Sequence, residues 1–155
     1  TELGLAMALP VAPTITRSEA DTFLGKASIT AAVAVTKTPM AAYSVERVEL
    51  PSTYADKSDD ALGLLWKNAR TNAAQGTAPK LIKEDRGTLL GQAAPALLLE
   101  EALPDGKARL GYLRLAVIRE GAKAQAILVA SAWFMDEALA PTLADRFFSG
   151  LRQAP

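Results

Sequence analysis

The sequence predicts an α+β protein, a three-layer sandwich in which a central antiparallel sheet of about six to seven strands carries helices on both faces. Three observations lead there. Ile127, Val129 and Trp133 alternate with Leu128, Ala130, Ala132 and Phe134, so neither side of that strand is polar and both need a cover. Turn signals recur at Glu84-Asp85-Arg86-Gly87, Leu103-Pro104-Asp105-Gly106 and Glu120-Gly121, which implies four consecutive antiparallel strands. Two further stretches repeat apolar residues at helical spacing.

Taken in order, residues 1–14 read as an amino-terminal arm or a first strand; the apolar run Leu3 to Leu9 is too short to span a bilayer and lacks a basic segment before it. Residues 28–36 place Ile29, Ala31, Val33 and Val35 on one face and Thr30, Ala32, Ala34 and Thr36 on the other, a strand with one smooth, small-residue side. Lys37-Thr38-Pro39 breaks it, and Ala41 to Leu50 alternates as a second strand closed by Pro51. Ser58 or Asp59 is placed to cap a helix, with Asp59 and Asp60 at its positive end. Leu62, Leu65, Trp66, Ala69 and Ala73 form its apolar stripe, Lys67, Arg70 and Asn72 lie off it, and Gly76 ends it. Trp66 reads as core packing, with an exposed binding anchor as the alternative.

The four later strands are expected at Lys80 to Lys83, Thr88 to Glu101, Lys107 to Arg119 and Ala124 to Phe134, the second with a bulge or bend near Gly91 to Pro95. A closing helix is expected from about Pro141, with Leu143, Phe147 and Leu151 repeating every four residues. Residues 1–155 are read as one domain, a common size for a single core.

Composition narrows the chemistry. The chain has no histidine and no cysteine, which removes zinc sites, iron–sulfur clusters, haem ligation and nucleophiles that rely on histidine or cysteine. Any metal would have to be a hard cation on oxygen ligands, and the carboxylates are scattered rather than looped, so neither metal nor cofactor is expected. With 17 basic and 17 acidic residues the formal net charge is zero, and no global field draws in nucleic acid or an anionic membrane. No P-loop and no dinucleotide-binding glycine pattern is present. The lack of cysteine suits an exported protein and an intracellular one nearly equally.

The stretches ALPVAPTIT, AYSVERVELP, DDALGLLWKNAR, LLGQAAPALLLEE, ARLGYLRLAVI and ADRFFSGL, in this order, resemble the Mog1p/PsbP-like family across nearly the whole chain. The bend Gly91-Gln92-Ala93-Ala94-Pro95 is longer than the family's usual form, and Ser149-Gly150-Leu151 stands where an aromatic is more typical. The resemblance implies helices on both faces of an antiparallel sheet, and a non-enzymatic binding or assembly module with another protein as partner. Many bacterial members are exported. The family brings no catalytic set.

Candidate site residues come from the strand at 107–119. Arg109, Tyr112 and Arg114 interrupt an otherwise apolar run, Tyr112 and Arg114 on one face and Arg109 on the other. An arginine beside a tyrosine can hold an anionic ligand group or a partner carboxylate in a cleft; the alternative leaves both arginines solvated, or paired to glutamates such as Glu46 or Glu49. Glu100 and Glu101 face Lys107 and Arg109 across a turn, which reads as cross-strand pairing. Adjacent strand residues point to opposite faces, so these glutamates are poorly placed to act as an acid–base couple. Lys26, Ser28 and Ser131 are the remaining material for a Ser-Lys nucleophile, with Ser131 read as a small core residue. A binding module is therefore the leading expectation, a small-molecule carrier with a pocket between sheet and helix the second, and a histidine-free hydrolase the third.

Overall fold

A computed structural model describes residues 3–74 and 79–154, without the side chains of 72–74. Nine strands occur among the described residues: β1 (Leu5–Met7), β2 (Thr14–Thr22), β3 (Gly25–Lys37), β4 (Met40–Glu49), β5 (Lys80–Leu89), β6 (Gln92–Ala102), β7 (Ala108–Glu120), β8 (Lys123–Phe134) and β9 (Leu151–Gln153). Two α-helices join them, α1 (Ser58–Ala74) and α2 (Ala140–Ser149). Seven strands form one antiparallel sheet in the order β2-β3-β4-β8-β7-β6-β5, and β1 pairs with β9 in a separate ribbon. The α+β, antiparallel, sheet-rich expectation holds.

The centre of the sheet follows from its composition. Strand β8 pairs with β4 on one side and β7 on the other, and alternate residues of a strand point to opposite sides. Ala126, Leu128, Ala130, Ala132 and Phe134 join a cluster with Ala140, Ala144, Phe147 and Phe148 of α2, together with Leu3, Leu5 and Leu151. Ile127 instead packs with Leu115 and Val117 against Leu62, Leu65 and Trp66 of α1. Ring contacts tie the first cluster together: Tyr43 meets Phe134 edge-on at 5.7 Å between centroids and Phe147 at 5.1 Å, and Phe147 meets Phe148 at 5.0 Å. Such pairs add about 0.5–1.5 kcal/mol each beyond the area they bury.

Several expected boundaries move. Glu84-Asp85-Arg86-Gly87 is not a turn but the middle of β5, and the hairpin turns at Leu90-Gly91. Both turn residues have positive φ, 55° and 74°, the pattern of a two-residue turn whose twist matches the strands it joins. The bend expected between Gly91 and Pro95 is therefore this turn and the start of β6; the irregularity lies instead at Leu81/Lys83. Gly87 sits mid-strand because a Cβ there would lie 2.7 Å from Arg114 Cζ, a close approach that glycine permits.

The helices need smaller corrections. Ala61 is fully buried, although it lies outside the expected stripe, while Leu62, Leu65 and Trp66 are half-buried. Trp66 packs near Leu97 and Leu99, and its Nε1 donates to Glu84 Oε1 at 3.3 Å; it is neither wholly core nor a free anchor. Gly76 lies outside the described residues. The Ser58 hydroxyl accepts a hydrogen bond from Arg119 Nη2 at 3.4 Å, and Asp59 and Asp60 occupy the first turn as expected. Helix α2 starts behind an Asp136 carboxylate that accepts from the Ala138 and Leu139 amides, and Gly150 closes it. Leu151 is buried, but in β9 rather than on the helix.

Candidate functional site

Tyr112 and Arg114 share one side of β7, as their spacing requires, and both border a small cleft of about 180 Å³ with Lys83, Asp85, Ala96 and Leu98. Arg114 is not free to serve it. Nη1 donates to the Thr88 carbonyl at 2.8 Å, the guanidinium lies 4.2 Å above the Phe148 ring, and Nη2 is 3.8 Å from Asp145 Oδ1. Its side chain is only 16% exposed, and burial pulls its pKa down against the opposing pull of Asp145. The expected glutamate partners are absent from this list: Glu49 is held by Arg47 at 2.6 Å. Arg114 thus clamps α2 to β5 and β7. Tyr112 leans on Phe134 at 5.9 Å between centroids, and its hydroxyl pKa is raised by burial and by Asp145.

Arg109 lies on the opposite side of β7. Its Nε donates to Glu101 Oε2, directly across the β6–β7 pair, so the expected cross-strand pairing of glutamate with Arg109 is found. The guanidinium also stacks 4.7 Å above the Trp133 ring. That ring in turn lies over Gly111, where a Cβ would come within 2.5 Å of it. A glycine in a central strand here makes room for an indole, which then offers a flat face to a cation.

This Arg109–Trp133 unit borders the part of the sheet that α1 leaves open. The register runs Val35↔Ala42↔Trp133↔Gly111 in one row and Val33↔Ser44↔Ser131↔Leu113 in the next, so these residues share one side. Val35 is 62% exposed and Val33 41%; Ala42, Ser44, Ser131 and Trp133 are half-buried. Glu46 sits one row further, between Ala31 and Val129, and burial raises its carboxyl pKa above the usual value. Ser131 is thus part of this surface rather than core. Lys26, the lysine considered for a Ser-Lys pair, lies at the start of β3 beside the edge strand β2, with Glu19 at 3.3 Å.

A second concavity, about 600 Å³, opens between α1 and the β5–β6 hairpin, lined by Leu62, Gly63, Trp66, Glu84, Arg86 and Pro95 among others. Among the described residues no group of three or more acidic side chains is placed to hold a metal ion, and no helix is long and apolar enough to cross a membrane. No family model, curated protein or solved structure matches this chain.

Reading the residues one at a time found Arg109 but missed Trp133, Glu46 and the exposed valines. Val33 and Val35 look like ordinary core positions of an apolar strand. Only the helix's path across the sheet leaves them in water, and no local pattern encodes that path.

Proposed function

We infer that the chain is a non-enzymatic protein-binding module with the three-layer, Mog1p/PsbP-like arrangement, one sheet face closed and the other half available to a partner. The observation that carries this reading is the open surface of Val33, Val35, Ala42, Ser44, Ser131 and Trp133, apolar and backed by a rigid sheet. Glu46 and the Arg109–Glu101 pair give it polar marks. The partner that fits is a protein segment with aliphatic side chains and one cationic group. The cation would meet Glu46, whose carboxyl pKa burial raises and a neighbouring positive charge would lower again.

Site-specific photo-crosslinking tests this. A crosslinker replacing Val35 should capture a defined partner that the same group at Leu139, exposed elsewhere, does not. Binding of that partner should then fall about tenfold or more in Val35→Asp, with the melting temperature nearly unchanged because the position is exposed. Equal capture from both positions, or unchanged affinity, overturns the reading.

The concavity beside Trp66 favours a second reading, a small-molecule carrier, since its volume falls in the usual ligand range of about 300–1,000 Å³. Ligand-dependent quenching of Trp66 fluorescence, kept in Val35→Asp, would select it over the first.

A further inference from the structure

Tyr43 stands on the α2 side of the sheet, in the row Ala34↔Tyr43↔Ala132↔Tyr112, with its ring fixed between Phe134 and Phe147. The residue is only 5% exposed. Among the described residues its hydroxyl makes no hydrogen bond, yet no buried polar side-chain atom is left unpaired. The hydroxyl is therefore the part of the side chain that reaches open space.

That space is a cleft of about 240 Å³. One wall is the arm that follows β1, from Ala8 to Pro10; the other is one face of α2, where Leu143, Arg146 and Phe147 are spaced at i, i+3 and i+4. The arm is held against the helix, because β1 pairs with β9 just beyond α2 and a Cβ at Gly150 would lie 3.2 Å from the Ala8 Cβ. Among the described residues no carboxylate lines the cleft. Arg47, Arg109 and Arg114 are each held by an acidic partner, whereas the Arg146 guanidinium has neither an ion pair nor a hydrogen bond among the described residues. Burial raises the Tyr43 hydroxyl's pKa and the Arg146 charge lowers it, so the cation and the hydroxyl face the same cleft.

Two hydrogen-bond donors at an apolar cleft define what fits. A carboxylate accepts from a guanidinium and a phenol together, and the bond to the guanidinium is charge-assisted. Size sets the rest of the ligand: a cavity of about 150 Å³ holds one benzene ring, so 240 Å³ has room for one ring and a carboxylate. We propose that this cleft binds a small aryl monocarboxylate, its ring against Leu9, Leu143 and Phe147 and its carboxylate accepting from Arg146 and from the Tyr43 hydroxyl. The site lies across the sheet from the Val35 surface and from the concavity beside Trp66, and it rests on neither.

Isothermal titration calorimetry of the full chain with phenylacetate tests it. One saturating site is expected, with a Kd of about 1 mM or tighter, the scale that about ten non-hydrogen atoms support. Phenylacetamide, which keeps the ring without the charge, and acetate, which keeps the charge without the ring, should each bind at least about tenfold more weakly. Arg146→Gln should weaken phenylacetate binding roughly 10- to 100-fold. Tyr43→Phe keeps the packed ring and should weaken it roughly 3- to 10-fold. Circular dichroism checks that both variants are folded, and nuclear Overhauser contacts from the ligand ring to the Leu143 methyls should place it in the cleft. No saturable binding up to about 10 mM, phenylacetamide binding as tightly as the acid, or unchanged affinity in Arg146→Gln would each overturn the proposal.

Discussion

The even-numbered side of β8, which packs with α2, is buried at every position from Ala126 to Phe134. On its odd-numbered side, which packs with α1, only Ile127 is fully buried, while Val129, Ser131 and Trp133 keep part of their surface in water. Both sides are apolar in sequence, so hydrophobicity alone does not decide which is sealed. What differs is the number of elements that close over them. The even side is covered by α2 together with Leu3, Leu5 and Leu151 of the flanking segments, whereas the odd side relies on α1 and the short Ser52–Tyr54 turn. Apolar surface in a strand states a need for cover, and the reach of the covering elements decides how much of that need is met within one chain.

The sharpest challenge to this contrast is Phe148→Ala. Phe148 is 1% exposed and touches both Phe147 and the Arg114 guanidinium, so its truncation should cost about 3–5 kcal/mol in denaturant unfolding. A loss below about 1 kcal/mol would mean that the α2 side is no better packed than the other.

Next comes Arg114→Ala. A ligand-binding arginine would leave the melting temperature alone. The hydrogen bond to Thr88 and the stacking on Phe148 instead predict a stability loss of about 1–3 kcal/mol, read in the same unfolding experiment.

The smallest effect belongs to the open side and depends on pH. Burial raises the Glu46 pKa above its ordinary 4.5, so the folded state favours the neutral carboxyl more than the unfolded chain does. Below the unfolded value both states are protonated and stability is complete; as pH rises through the higher folded value, stability is lost. Glu46→Gln removes that loss. It should be more stable than the unaltered chain at pH 7 by less than about 1 kcal/mol, and the two unfolding curves should converge as pH falls towards 4.5.

The central sheet was legible in the sequence because β8 has no polar side, and because Asp105-Gly106 and Gly121 do lie in turns, the second directly after Glu120 at the end of β7. The edges were less so. A strand with one neighbour can expose most of its side chains, and Lys83-Glu84-Asp85-Arg86-Gly87 then has the composition of a loop while lying within β5. Gly87 reinforced that misreading, since its reason for being glycine is Arg114, 27 positions away in the chain and close in space. Leu90-Gly91 reads as a bend within one strand rather than as a hairpin turn, because leucine rarely accepts positive φ. Of the candidate residues, spacing placed Arg109, Tyr112 and Arg114 on their correct sides of β7. It did not reveal that Phe148 and Thr88 already occupy Arg114, because those contacts come from α2 and β5.

The β1–β9 ribbon has a mechanical consequence. Leu5 lies opposite Gln153, and the Ala154 amide donates to the Gly4 carbonyl at 2.9 Å, so tension drawn between residues 4 and 154 opens the ribbon like a zipper, one pair at a time. Such a geometry yields at low force, whereas strands pulled along their length break many bonds together. Stretched by those two points, the molecule would give way first at the ribbon, uncovering the Leu3 and Leu5 side of the core while the seven-stranded sheet still held.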